Sequence, residues 1–110
     1  MKLFVDDIRN PPDDSWHICR SVGAAIRAID MFGPDITEIN LDHDISHQVV
    51  VGKMSRPYPC DETFESVARF MVHYMNAQEE VGVTFDPVVH IRTSNPAGME
   101  SMRKILKDAN

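Results

Sequence analysis

Residues 39–44 read Ile-Asn-Leu-Asp-His-Asp, and residues 3–7 read Leu-Phe-Val-Asp-Asp. From Ile36 to Leu41 apolar and polar residues alternate, the period of a half-buried β-strand, and the run then stops on Asp42 and Asp44. The earlier stretch has the same design, a short apolar run ending on Asp6 and Asp7. If these two strands are parallel neighbours, four carboxylates gather at one edge of a sheet. Carboxylates packed that closely repel one another. A hard divalent cation, Mg²⁺ or Mn²⁺, removes that cost and prefers oxygen ligands. Loop solubility and helix capping are the plainer uses of each acidic pair taken alone.

Working outward, strands and helices alternate. Residues 2–5 form the first strand. Pro11 and Pro12 keep residues 6–15 a polar loop, because proline is excluded from helix interiors. Trp16 to Arg20 is a second strand. Val22, Ala25, Ile26 and Ile29 recur at helical spacing and predict a helix over 21–32, stopped by Gly33-Pro34. Residues 45–60 read as an irregular stretch with Gly52, Pro57 and Pro59, and a connection of that length in a small domain is functional or mobile. Asp61 is a good N-cap for a second helix reaching Gln78. Its inward stripe is Phe64, Val67, Ala68, Met71, Val72 and Met75, with the methionines as core filler. Val88 to Thr93 is the fourth strand. Asn95 caps a last helix whose first residue is Pro96. That helix turns Met99, Met102, Ile105 and Leu106 inward and carries Arg103, Lys104 and Lys107 near its C-terminus, where the dipole favours cations. Such alternation implies an α/β sandwich on a mostly parallel sheet. Ligands in these sheets bind beyond the carboxyl ends of the strands. Both acidic pairs and the Thr93-Ser94-Asn95 turn lie there.

The chain has 110 residues, 43% of them hydrophobic and 25% charged, as expected for a single globular domain spanning 1–110. No apolar run approaches the roughly 18 residues needed to cross a bilayer. Met-Lys followed at once by a strand does not resemble a signal peptide, so the expected location is cytoplasmic. Cys19 and Cys60 have no zinc-type spacing and read as two reduced thiols. A net charge of −6 argues against an extended nucleic-acid surface and against a membrane partner. A small phosphate-bearing substrate stays open, because a bound metal inverts the local charge.

His43, between Asp42 and Asp44, can act as general acid or base, or can be a packed residue. His90, inside the fourth strand, is expected to be packed. Arg9 can grip a phosphate in a fork or pair with Asp7. Thr93 and Ser94 offer hydroxyls. Asn95 and the free N–H groups of the last helix can hold an anion. Lys53 and Arg56 can fold over the site from the long loop.

Three strings in order, Leu-Phe-Val-Asp-Asp-Ile-Arg-Asn-Pro-Pro (3–12), Asn-Leu-Asp-His-Asp-Ile (40–45) and Thr-Ser-Asn-Pro-Ala-Gly-Met-Glu-Ser-Met (93–102), with Trp16 between the first two, make the chain resemble the cyclic-phosphate processing receiver-like domain family of bacteria and bacteriophages. The resemblance implies a flavodoxin-like, receiver-like three-layer sandwich with a four-stranded sheet. It implies Asp6 and Asp7 as Mg²⁺ ligands, Asp42 as the counterpart of the phosphoryl acceptor with Asp44 two residues on, and Thr93 as the hydroxyl ending the fourth strand. The implied activity is metal-dependent processing of a cyclic phosphate on a nucleotide or RNA end. Catalysis would then fall to Asp42, His43 and Thr93, substrate binding to Arg9, Ser94 and Asn95, and metal binding to Asp6, Asp7, Asp42 and Asp44. The chain departs from the family at Arg92, where a His is frequent. The helix between the first two strands is replaced by the Pro-Pro loop, and the Lys that receivers place after a fifth strand is missing, which argues against ordinary phosphorelay signalling. The alternative function is a non-catalytic receiver-like module that sequesters a nucleotide or docks on a protein partner.

Overall fold

The computed structural model describes residues 1–43, 48–51, 54–57, 63–93 and 95–107, the segments 48–51 and 54–57 by their backbone alone. Strands β1 (Lys2–Val5), β2 (Trp16–Cys19), β3 (Glu38–Asp42) and β6 (Val88–Arg92) form a parallel sheet in the order β2-β1-β3-β6. Helix α1 (Val22–Phe32) follows β2, α2 (Glu65–Glu80) lies in the long connection between β3 and β6, and α3 (Pro96–Lys107) follows β6. The α/β class and the parallel four-stranded, receiver-like sheet are those expected; the third layer of the expected sandwich is not seen among the described residues, because all three helices share one core. Strands β4 (Gln48–Val51) and β5 (Met54–Pro57) pair antiparallel as a hairpin, where the sequence suggested an irregular stretch. The glycine and prolines there outweighed the β-branched run Val49-Val50-Val51 in that reading.

Register explains which side chains are buried. Leu3 sits beside Ile39 and Ile39 beside Val89, while Val5 sits beside Cys19 and Leu41, and Leu41 beside Ile91. Successive strand residues point to opposite faces, so these seven share one face. All three helices cover it, contributing Ala25, Ala28 and Ile29 from α1, Val67, Ala68 and Met71 from α2, and Met102 from α3 to a single core. Burying one large aliphatic side chain stabilises by about 1.5–3 kcal/mol, so this face carries the larger part of the folding free energy. One face suffices for chain-order reasons. The β2-α1-β3 and β3-α2-β6 crossovers step in the same direction, and right-handed connections that step the same way lie on the same side.

The β1-to-β2 step runs the other way and therefore crosses the second face. It does so as the Pro-Pro loop. Among the described residues, no helix lies on that face. A shallow depression lined by Pro11, Pro12, Trp16 and Ile18 joins the loop to β2. Phe4 meets Trp16 edge-on at 6.0 Å between ring centroids, and the Lys2 ammonium lies 5.1 Å from the Trp16 ring. Because the chain leaves β1 to one side and returns to the other, the carboxyl ends of β1 and β3 form the switch-point crevice.

Helix ends follow local chemistry. Ser21 caps α1 by accepting from the Ala24 N–H at 3.1 Å. Gly33 ends it with φ 43°, and a Cβ there would collide with the Tyr74 hydroxyl. Helix α2 starts at Glu65, later than expected; the anticipated cap Asp61 lies outside the described residues. The Phe64 N–H donates to the His43 carbonyl at 2.9 Å, which ties the start of α2 to the end of β3. Asn95 caps α3 as expected, its Oδ1 accepting from the Gly98 N–H at 3.2 Å.

Candidate metal centre

Asp6 and Asp7 adjoin in sequence, so on a straight strand they would face opposite ways. The turn after Val5 removes that difficulty. Asp6 Oδ1 accepts from the N–H groups of Ile8 at 2.9 Å and Arg9 at 2.8 Å. A short side chain bonded to the backbone two and three residues on bends the chain sharply. Arg20, just past β2, fastens this turn from outside. Its guanidinium donates to the Asp6 carbonyl at 3.2 Å, to the Arg9 carbonyl, and to Asn10 Oδ1 at 2.7 Å. Asp42 ends β3, and its Oδ1 accepts from the His43 N–H at 2.8 Å.

Asp6, Asp7 and Asp42 each bring a carboxylate oxygen within 4.8 Å of the other two. Asp6 is 1% exposed and Asp42 5%. Oxygens bound at about 2.0–2.6 Å from one hard cation lie at most about 4–5 Å apart, so the spacing suits a shared ion. A second observation supports the fit. Among the described residues Asp6 Oδ2 is buried with no hydrogen-bond partner, and the cation paired with it is the Arg9 Nε at 3.8 Å, on a side chain 54% exposed. An unsatisfied buried carboxylate oxygen is costly unless an ion completes it.

The model of the cyclic-phosphate processing receiver domain matches residues 1–108, a span that contains the whole carboxylate cluster. The chain belongs to that family. No curated protein and no solved structure matches it. Among the described residues of this receiver domain, no helix is long and apolar enough to cross a membrane.

Several other expected site residues come together beside the cluster. Arg9 and Thr93 line one open depression of about 420 Å³ with Arg92, Ile91 and Met99. Thr93 Oγ1 accepts from the Asn95 N–H at 3.0 Å, so the turn into α3 is held by its own hydroxyl. Asp44, Ser94 and Lys53 lie outside the described residues, as does the side chain of Arg56. His90 is not packed. It is 48% exposed and bonds Glu38 on the neighbouring strand β3 at 2.7 Å, because position 90 faces away from the helices.

His43 points into the helical layer. Its ring is buried, with Nε2 2.7 Å from Glu65 Oε2. Glu65 Oε1 accepts from the Ser101 hydroxyl at 2.7 Å, and Arg69 stands 3.6 Å away. Hydrogen bonds from Ser101 and then from His43 hold the Glu65 carboxyl below its usual range. A Cβ on Gly98 would lie 2.5 to 2.7 Å from three atoms of the His43 ring. The end of β3, the start of α2 and the first turn of α3 thus meet on one imidazole. Glu65, Ser101, Gly98 and Arg20 were not singled out from the sequence. Their partners lie at least 10 positions away for Arg20 and 36 for Ser101, Gly98 meets His43 from farther still, and no local pattern marks them. Only the Gly of Asn-Pro-Ala-Gly carried a hint.

Proposed function

We propose that this receiver domain is a metal-dependent phosphoesterase acting on a cyclic phosphate of a nucleotide or an RNA end. The observation that carries the reading is the convergence of Asp6, Asp7 and Asp42 on a space the size of one ion, with Asp6 Oδ2 buried and without a hydrogen-bond partner among the described residues. These three would hold Mg²⁺ or Mn²⁺, with Asp44 as a further ligand. Such an ion, when bound, polarises a phosphoryl oxygen and strengthens water as a nucleophile near neutral pH. Arg9 and Thr93, facing one depression, would grip the phosphate, aided by Ser94, Asn95 and the first N–H groups of α3. In hydrolysis, an oxygen bonds to phosphorus, one ring P–O bond breaks, and the freed ribose oxygen takes up a proton. The attacking oxygen is that of water or, through an acyl-phosphate intermediate, that of Asp42.

His43 enters this scheme through its backbone. Its ring is committed to Glu65, while its N–H orients the Asp42 carboxylate. Its part in the proposal is to position a ligand, as outer-shell groups do at metal sites.

The test is turnover. Purified protein with Mn²⁺ or Mg²⁺ is given a panel of 2′,3′- and 3′,5′-cyclic nucleotides. Product that forms with wild type and vanishes with Asp42→Asn is the expected result. Tight nucleotide binding without product from any member of the panel would overturn the enzyme and favour a sequestering module.

A further inference from the structure

Acidic residues outnumber basic ones 17 to 11 in this chain, yet one groove collects cations. It runs along β6, which ends the sheet order, with α3 as its other wall, and its volume is about 620 Å³. Arg92, Arg103 and Lys107 line it, opposed by one carboxylate, Asp86. His90 also borders it but is bonded to Glu38. Among the described residues, no ion pair or hydrogen bond engages the side chains of Arg92, Arg103 or Lys107.

The dipole of α3 accounts for cations in its last turn. It does not account for Arg92, which stands on a strand. Arg103 and Lys107 are four residues apart on α3, hence on one side of it and about 6 Å apart along the axis. Arg92 lies at the other end, beside Asp42 in register. Arg92 also lines the depression that holds Arg9 and Thr93. Arg92 projects from the sheet face opposite α3, the face Asp42 takes, and β6 is an edge strand, so the cationic line starts beside the carboxylate cluster, rounds the β6 edge and continues along α3. Between the charges the wall is apolar, with Met71 and Met75 from α2. A ligand that fits has repeated negative charges, flat or apolar groups between them, and one end at the metal centre.

We propose that this groove seats the last few nucleotides of a single-stranded RNA, with Arg92, Arg103 and Lys107 facing successive backbone phosphates and the terminal cyclic phosphate at the carboxylate cluster. This rests on the phosphoesterase reading for the position of that end. The contact is short. With acids in excess elsewhere, the rest of the surface repels nucleic acid, so affinity saturates once the groove is filled. An acidic peptide adding to the β6 edge would use the same cations, but nothing in that mode calls for a link to the metal centre.

Binding of fluorescent oligoribonucleotides ending in a 3′-phosphate, from mono- to tetranucleotide, is measured by anisotropy with Mn²⁺-loaded protein. Affinity rises with length and then levels. The affinity for the tetranucleotide falls steeply with salt, and Arg103→Ala with Lys107→Ala lowers the slope of log affinity against log salt by about 1.4, at about 0.7 per phosphate contact. Arg103→Lys with Lys107→Arg keeps the slope, which separates charge from shape. Both positions are exposed, and circular dichroism checks that the variants fold. Affinity independent of length, an unchanged slope in the double alanine variant, or stronger competition by an oligoglutamate peptide than by unlabelled tetranucleotide would each overturn the proposal. Cyclic-nucleotide turnover without a length effect refutes the groove alone. A length effect without turnover of any cyclic nucleotide refutes the phosphoesterase reading.

Discussion

Asp42→Asn changes almost no volume and removes one of three charges whose oxygens lie within 4.8 Å of one another. Two unit charges at that separation repel by about 3.5 kcal/mol at an effective dielectric near 20. Asp42 faces two such neighbours. The exposed Arg9, 3.8 Å from Asp6, offsets part of this. The substitution also weakens the bond from the His43 N–H, by about 1 kcal/mol. After these offsets the expectation is a metal-free variant more stable than wild type by at least about 1–2 kcal/mol, at about 4 °C in Tm per kcal/mol for a domain near this size. Metal reverses the order. A ligand at a hundredfold its Kd stabilises the folded state by about 2.7 kcal/mol, and wild type gains this from Mn²⁺ whereas the variant gains far less. Thermal unfolding followed by circular dichroism, first in EDTA and then through a MnCl₂ titration, reads both halves. A variant that is less stable than wild type in EDTA, and whose Tm climbs with Mn²⁺ as much as that of wild type, would refute the shared-ion reasoning.

Three further substitutions probe the supports. Arg20→Met drops the hydrogen bonds that fasten the Asp6–Asn10 turn without touching a carboxylate; Mn²⁺ affinity by calorimetry falls about tenfold, as outer-shell losses do, and wild-type affinity would count against the role. Gly98→Ala drives a methyl into the His43 ring, and overpacking of about 1–3 kcal/mol exceeds the helix gain of about 1 kcal/mol, so the urea midpoint falls. In a His43→Ala background the clash is gone and the same change raises the midpoint; equal signs in both backgrounds would disprove the contact. Glu65 has a folded-state value below its ordinary 4.5, so its contribution is complete above that value and is lost as pH falls through the lower one. Glu65→Gln therefore lowers stability at neutral pH and flattens the acid limb of a urea-midpoint profile, and a limb as steep as that of wild type would contradict this.

Much of the fold was legible because it is written in local periodicity. The alternation from Ile36 to Leu41, the helical spacing of Val67, Ala68 and Met71, and the stops at Gly33-Pro34 and Asn95-Pro96 each report short-range physics. The convergence of Asp6, Asp7 and Asp42 was legible for the same reason, since parallel strands bring their carboxyl ends to one edge. What was not legible depends on direction and on distant partners. That His90 faces solvent follows from its place on the edge strand and on the face away from the helices, not from its neighbours in sequence. That His43 turns inward follows from the pleat: Ile39, Leu41 and residue 43 share the helix-covered face, and Asp42 takes the other.

That opposition has a mechanical consequence. Asp42 and His43 are consecutive, yet one looks into the carboxylate cluster and the other into the junction of α2 and α3. They are joined again by a single bond, His43 N–H to Asp42 Oδ1. The imidazole is held by Glu65 at 2.7 Å and by the absence of a side chain at Gly98. Glu65 in turn is held by Ser101. Any displacement of α3 relative to α2 therefore reaches the backbone at 43 before it reaches any ligand, and tilts the N–H that aims the Asp42 carboxylate. When His43 is replaced by an apolar residue of similar size, Glu65 keeps Ser101 and Arg69 and is the more exposed partner, whereas removing Glu65 strips the carboxylate from a buried imidazole, so the loss of Glu65 should disturb the junction more. The order of Mn²⁺ affinities, His43→Phe above Glu65→Ala, follows if the junction acts on the metal centre through this bond, and the reverse order would mean that the imidazole itself serves the site.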